Sequence, residues 1–365
     1  MNFIKNKRIL ITGCCGTVGS ELVRVLLEDP SFEPGEVIGL DNNESELFFI
    51  DERFLTDTRA RFFLADVRDC DKLRVHAQGI DLVFHAAALK HVILCERSPF
   101  EAVQTNIHGV QNVISAANEN KVAKVIFTSS DKAVNPTNVM GTSKLMGERL
   151  MTAANSIQQG NGPVFASTRF GNVLGSRGSV MPIFQKQIAK GGPVTLTNSA
   201  MTRFIMSVEQ AVRLIIDSAG LANGGEVFIT KMPVIRIKDL AEVMIRELAS
   251  RHGHDPENIK IAEIGAKPGE KLYEELMNQE ETRRAVELPR YFSVLPAFRG
   301  IYKNIAYDYQ NVVSTDVRNP YVSSDEPTLS QDELRTFLEQ NTLLTTEAIP
   351  ENQPDRRYWR RDKEG

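Results

Sequence analysis

Short apolar runs closed by Gly, Asn, Asp or Ser recur through the first half of the chain, as RILITG, EVIGLD, RFFLAD, DLVFHAAA, KVIFTSS and VFASTRFGN. Runs this short and this uniformly apolar predict strands buried on both faces, and the amphipathic stretches between most of them, such as ELVRVLL, predict helices. Strand and helix in alternation imply right-handed crossovers and a parallel sheet with helices on both sides, an α/β doubly wound fold of the Rossmann type. The polar punctuation falls at the carboxyl ends of the strands, where ligands bind on such sheets.

Beyond about Asn172 the rhythm loosens into GSRGSVMPIF, GGPVTLT, VFIT and a late helical pattern around EKLYEELMN. The expected division is a dinucleotide-binding domain over 1–172, a smaller, partly discontinuous substrate lobe with returning elements over 173–341, and a polar tail over 342–365. The tail lacks apolar periodicity. Its Arg356, Arg357, Arg360 and Arg361 could hold an anion, and a solvated tail is the simpler account.

Composition narrows the classes further. With 365 residues, 42% hydrophobic and 25% charged, the chain can bury a large core. A net charge of -4 with both signs interspersed leaves no basic footprint for nucleic acid. Cys14, Cys15, Cys70 and Cys95 make neither a C-x-x-C pair nor a Cys/His ligand set, so reduced thiols and no metal are expected. MNFIKNKRILITG lacks a signal-peptide pattern and no run reaches ~18 apolar residues, which predicts a cytoplasmic protein with no membrane span.

Directly after the first strand, TGCCGTVGS places Gly13, Gly16 and Gly19 at three-residue spacing before a helix. Glycines there permit a tight turn, close backbone approach to a pyrophosphate and close helix-on-strand packing, with the helix N-terminus supplying N–H groups. The second strand ends at Asp41, placed to bind ribose hydroxyls; its charge favours NAD over the alternative, NADP. The third ends at Asp66 and Val67, expected against the adenine. The fourth opens into Ala86, Ala87 and Ala88, small enough for the backbone to pass close to a cofactor.

The fifth strand delivers SSDKAVNPTNVMGTSK. Taken with TGCCGTVG, HAAALKHV, RFGNVLGSRGSVMPIF and KPGEKLYEEL, it makes the chain resemble the nucleotide-sugar 4,6-dehydratases that act on UDP-N-acetylglucosamine in bacterial polysaccharide and glycan synthesis. These are extended short-chain dehydrogenase/reductases. The likeness spans about residues 6–290.

The resemblance implies a tightly bound NAD, a UDP-sugar substrate and a homo-oligomer. Hydride would leave C4 for the nicotinamide and return to C6 after water is lost. It assigns Asp131 as the acid at the C6 hydroxyl, Lys132 as the base at C5, Ser130, where the family usually has Thr, at the C4 oxygen, and Lys144 at the nicotinamide ribose. Four residues before Lys144 the wider class carries Tyr, and here stands Met140, whose thioether cannot accept a hydroxyl proton at neutral pH. Thr17, Val18, Lys90 and Asn106 join the implied cofactor contacts.

On the substrate side the resemblance implies Lys90, His91, Asn172, Arg177, Ser179, Val180, Thr202, Arg203 and Glu270. Arg203 would offer paired hydrogen bonds to the diphosphate, Lys267 stands where the family often has Arg, and Lys271 borders the same site. Two other functions stay open: a sugar-nucleotide epimerase or reductase of the same fold, and a non-catalytic dinucleotide-sensing protein.

Overall fold

The computed structural model describes residues 3–156, 162–176, 178–265, 269–298 and 305–344. The first six apolar runs are strands: β1 (Arg8–Thr12), β2 (Glu36–Asp41), β3 (Ala60–Leu64), β4 (Leu82–His85), β5 (Lys124–Ser130) and β6 (Val164–Phe170). Between them run α1 (Thr17–Glu28), α2 (Glu44–Arg53), α3 (Cys70–His76), α4 (Val92–Arg97), α5 (Pro99–Ala102), α6 (Gly109–Glu119) and α7 (Val139–Ala154). Side-chain caps set several starts: Asn43 accepts from Glu46 N ahead of α2, and Asn138 from Gly141 N ahead of α7. A widened helical turn, Val103–His108, joins α5 to α6.

The second half contributes β7 (Asn172–Val173), α8 (Val180–Ala189), β8 (Val194–Leu196), β9 (Thr202–Met206), α9 (Val208–Leu221), β10 (Val227–Thr230), β11 (Val234–Arg236) and α10 (Ile237–Leu248). There follow β12 (Ile261–Glu263), β13 (Glu275–Met277), α11 (Gln279–Thr282), β14 (Ala285–Glu287), β15 (Tyr291–Val294), β16 (Tyr321–Val322) and α12 (Gln331–Gln340).

A nine-stranded sheet runs in the order β14-β15-β10-β6-β5-β4-β1-β2-β3. From β10 through β3 every neighbouring pair is parallel, and β15 and β14 close one edge antiparallel. The strand order reverses at β1, which lies between β2 and β4, so a crevice opens beyond the carboxyl ends of β1 and β4. Three strands beyond residue 172 thus extend the sheet. The remaining second half, with α8, α10 and α12, packs around a separate core of Phe184, Ile188, Leu240, Met244, Leu334 and Leu338. Among the described residues no helix is long and apolar enough to cross a membrane.

The late helix expected around EKLYEELMN does not form. Glu275–Met277 is instead a strand paired antiparallel with β16, and only Gln279–Thr282 turns helically. Leu276 and Met277 are both fully buried, and Glu274 and Glu281 point to interior cations. Those long-range partners override the local period.

One such partner is Arg169 on β6, 1% exposed. Its Nε and Nη2 donate to Glu148 of α7 at 2.9 and 2.6 Å, and its Nη1 and Nη2 donate to Glu281 at 2.9 and 3.0 Å. Nη1 also donates to the Leu276 carbonyl at 2.7 Å. All five guanidinium N–H groups are therefore used, which is the condition under which a buried ion cluster offsets its desolvation.

Arg169→Met should lower the unfolding free energy by about 3–5 kcal/mol at neutral pH, because two carboxylates stay buried without their shared cation, with only Arg284 left 3.9 Å from Glu281. In the intact protein burial opposes the charged Glu281, but Arg169 outweighs it and holds that carboxyl below its usual range. Glu281 therefore stabilises above its unfolded pKa of about 4.3, and that contribution disappears as pH falls through the folded value. In the variant the strongest opposition to burial is gone and the carboxyls rise, so the deficit in urea denaturation should narrow as pH drops toward about 5.

Candidate active site

The crevice is shaped first by the turn after β1. Gly13 has φ +73°, and a Cβ there would lie 2.7 Å from both N and Cα of Ala87. A Cβ on Gly19 would lie 2.0 Å from the Gly13 carbonyl oxygen. Both glycines are thus required by the protein's own packing, as is the small Ala87. Gly16 is different: its Cβ would meet only the Gly13 oxygen, at 3.3 Å, and it caps α1 without a side-chain hydrogen bond. The protein's own packing constrains this position less than Gly13 or Gly19, and the helix terminus presents N–H donors suited to an anion.

Asp41 ends β2 and straps this turn, its Oδ2 accepting from Cys15 N at 2.9 Å and its Oδ1 from Asn43 N at 3.0 Å. Asp66 is held by Arg68, whose guanidinium pushes the carboxyl down to about 2, and by Asn42. Val67 is buried beside it. Cys14, Cys15, Cys70 and Cys95 are free thiols. Contact with Cys15, together with burial, keeps the Cys14 thiol protonated.

At the end of β5 the chain turns tightly through Asp131–Ala133. Asp131 is 1% exposed, and its Oδ1 accepts from Ser130 Oγ at 2.6 Å, Lys132 N at 2.8 Å and Lys132 Nζ at 3.1 Å. Its Oδ2 is buried with no partner. Lys132 Nζ also lies 3.6 Å from Glu274 Oε1. Burial disfavours the ammonium, but the Asp131 and Glu274 charges outweigh it and hold Lys132 above the usual lysine range.

Lys144, one turn along α7 from Met140, has the opposite surroundings. Its Nζ donates to the Thr128 carbonyl at 2.9 Å and stands 4.7 Å above the Phe127 ring. Burial pulls it down to about 8, with Glu148 only partly resisting. Met140 is 3% exposed and packs with Cys95 and Ala102. Behind Lys144, His85 is buried, its Nδ1 within 2.6 Å of Thr12 Oγ1, and burial lowers it to about 3. A neutral imidazole results.

Asn106, expected at the cofactor, is buried in the widened turn and performs a structural task. It accepts from Leu89 N at 2.8 Å and donates to Leu89 O at 3.0 Å and Ser143 Oγ at 2.9 Å, tying the loop after Ala86, Ala87 and Ala88 to the helix of Lys144. Lys90 and His91 lie exposed between β4 and α4, and a Cβ on Gly178 would come within 2.8 Å of His91 Cε1. Thr17 and Val18 open α1.

That approach brings the β4 loop and the Gly/Ser loop before α8 together. Ser179 caps α8, which Val180 begins, and Ser179 Oγ is buried without a hydrogen-bond partner. Asn172 is half-buried on β7. Arg177 and Lys267 lie outside the described residues, as do Arg356, Arg357, Arg360 and Arg361.

Arg203, expected at the diphosphate, is already engaged within the protein. It is 5% exposed, donates to the carbonyls of Thr202, Leu272 and Lys271 at 2.7, 3.2 and 2.8 Å, and its Nε lies 3.6 Å from Glu274 Oε1. Thr202 Oγ1 pairs with Ser323 Oγ at 2.9 Å, Glu270 is exposed, and Lys271 Nζ donates to Val134 O at 2.9 Å, holding the loop after Lys132. Glu274 was not singled out in the sequence, where it falls inside the late helix expected around EKLYEELMN.

Residues 9–296 match the family model described as polysaccharide biosynthesis protein. The chain is 52% identical, over 81% of its length and 87% of the relative's, to an uncharacterized membrane protein of Methanocaldococcus jannaschii. It is 40% identical to a UDP-N-acetylglucosamine 4,6-dehydratase (inverting) of Campylobacter jejuni, over 80% of this chain and 84% of that one. A UDP-glucose 4-epimerase of Rickettsia canadensis is 38% identical over 79% and 83%. The solved structure of Pen from Bacillus thuringiensis superposes with TM-score 0.84 at 42% identity, covering 93% of this chain and 98% of that one.

Gly13→Ala should destabilise the fold by at least ~1–3 kcal/mol, since the left-handed backbone and the Ala87 contact are both violated. Gly16→Ala should change unfolding free energy by under about 1 kcal/mol. Urea denaturation of the two variants checks the contrast.

Proposed function

The chain belongs to the polysaccharide biosynthesis protein family, and from that premise we propose that this nucleotide-sugar-modifying short-chain dehydrogenase/reductase is a UDP-N-acetylglucosamine 4,6-dehydratase. The observation that carries the reading is the Ser130, Asp131 and Lys132 cluster at the crevice beside Lys144, with Met140 where a tyrosine base would otherwise stand.

Features at the crevice support a dinucleotide: Gly16 is less tightly constrained by the protein's own packing than Gly13 or Gly19, and α1 starts without a side-chain cap. Gly13, Gly16 and the start of α1 would take the diphosphate, Asp41 the adenosine ribose in preference to a 2′-phosphate, and Asp66 and Val67 the adenine edge. Lys144 uses one ammonium proton on Thr128 O and has two left for the nicotinamide ribose. NAD, when bound, supplies acceptance of hydride from sugar C4 and its return to C6, which keeps it resident through turnover.

Met140 cannot take the C4 hydroxyl proton, so that proton needs another route. Ser130 Oγ donates to Asp131 at 2.6 Å and accepts from Lys132 N at 3.3 Å, leaving one lone pair for the C4 hydroxyl. The C4 proton passes through Ser130 to Asp131, and Asp131 hands it to the C6 hydroxyl, which departs as water. Lys132 removes the proton at C5, acidified by the C4 ketone, and returns one after water has left. The sugar loses one water and nothing else. The loops carrying His91, Asn172, Ser179 and Val180 are assigned the uridine diphosphate end. Exposed Leu94, Phe100 and Met146, 56, 81 and 46% accessible, support self-association through α4, α5 and α7.

The 38% identity to proteins named UDP-glucose 4-epimerase keeps a second reading in view. Incubation with UDP-N-acetylglucosamine decides by mass spectrometry: loss of one water supports the dehydratase, and an unchanged mass with altered stereochemistry supports the epimerase. Lys132→Ala should reduce water loss by about 10²–10⁴-fold while dinucleotide stays bound. Undiminished water loss in that variant would remove Lys132 from the C5 step.

A further inference from the structure

Held between two carboxylates, Lys132 is an ammonium in the structure, yet a base at C5 must be a free amine. Glu274, arriving just before β13, offers a resolution. Its side chain is 4% exposed, its Oε1 lies 3.6 Å from Lys132 Nζ and 3.6 Å from Arg203 Nε, and its Oε2 is buried with no hydrogen-bond partner. A carboxyl with an unmade bond in the interior is unfavourable as an anion and much less so as an acid.

We propose that Glu274 is a positioning residue that holds the Lys132 proton, exchanging internally so that Lys132–NH3+ with Glu274–COO− becomes Lys132–NH2 with Glu274–COOH. The proposal rests on the dehydratase reading above. One proton moves from Nζ to Oε1, no charge leaves the site, and the free amine then takes the C5 proton. A shift of roughly 0.6 Å brings the two atoms to hydrogen-bond length, and the lysine side chain, 27% accessible, is the member free to move.

The groups facing Glu274 are Asp131 and Lys132 from the turn after β5, Arg203 from β9 and Lys271 from its own segment. Burial, then the Asp131 charge, push its carboxyl up, against the opposing pull of the three cations. Protonating Glu274 also removes one of the two anions that keep Lys132 charged, so each transfer favours the next state of the pair. Arg203, tied to three backbone carbonyls, fixes where Oε1 sits.

The test follows solvent exchange at C5 of UDP-N-acetylglucosamine in heavy water by NMR, with the full chain loaded with NAD. In the wild type the rate should be flat between about pH 6 and 8, because the proton stays inside the site. In Glu274→Gln it should fall ~10²-fold at neutral pH and then rise with pH, with absorbance of the reduced cofactor building up because C4 oxidation outruns C5 proton loss. Glu274→Asp should recover part of the flat profile. Without substrate, acetic anhydride labelling of Lys132, read by mass spectrometry, should reach half-maximum at lower pH in Glu274→Gln.

A drop by the same factor at every pH, a variant as fast as wild type, or an unmoved labelling midpoint would overturn the proposal. Absence of water loss in the wild type would instead remove the dehydratase reading, and this role with it.

Discussion

The interaction on which the rest depends is the buried Glu148, Arg169 and Glu281 cluster. It joins α7, β6 and the segment that ends in α11. α7 also carries Lys144, one turn before Glu148, and the Glu281 segment carries Glu274. Lys144 and the acid facing Lys132 are therefore fixed in one frame, although they lie far apart in sequence. Arg suits the position because its planar fork meets two carboxylates and a carbonyl at once, which a lysine could not do.

That frame lets two lysines in one crevice behave oppositely. Lys144 sits over an aromatic ring with an apolar Met140 nearby, and burial dominates, so its proton is weakly held. Lys132 sits between Asp131 and Glu274, and charge dominates. Environment rather than residue type separates a lysine that holds its proton weakly from one that holds it strongly.

A second constraint is steric. Gly13 and Gly19 are forced by neighbouring backbone, so the turn after β1 and the loop after β4 press on each other, and Asn106 clamps the latter to α7 through Leu89 and Ser143. The glycine turn and the helix of Lys144 are thereby coupled through the loop after β4. Widened helical turns such as Val103–His108 often mark such junctions.

The six strands, the helices between them, the glycine turn and the Asp131, Lys132 and Lys144 spacing were legible from the chain alone, because each is written in periodicity or in residues a few positions apart. Arg203, Glu274 and the EKLYEELMN segment were not. Their conformations are decided by ions and strands more than forty residues away: Glu274 by Lys132 and Arg203, β13 by β16, Glu281 by Arg169. Local pattern determined the scaffold and the first members of the site. Only the tertiary structure decided which charges meet, since the free energy of a buried charge is set by its neighbours in space.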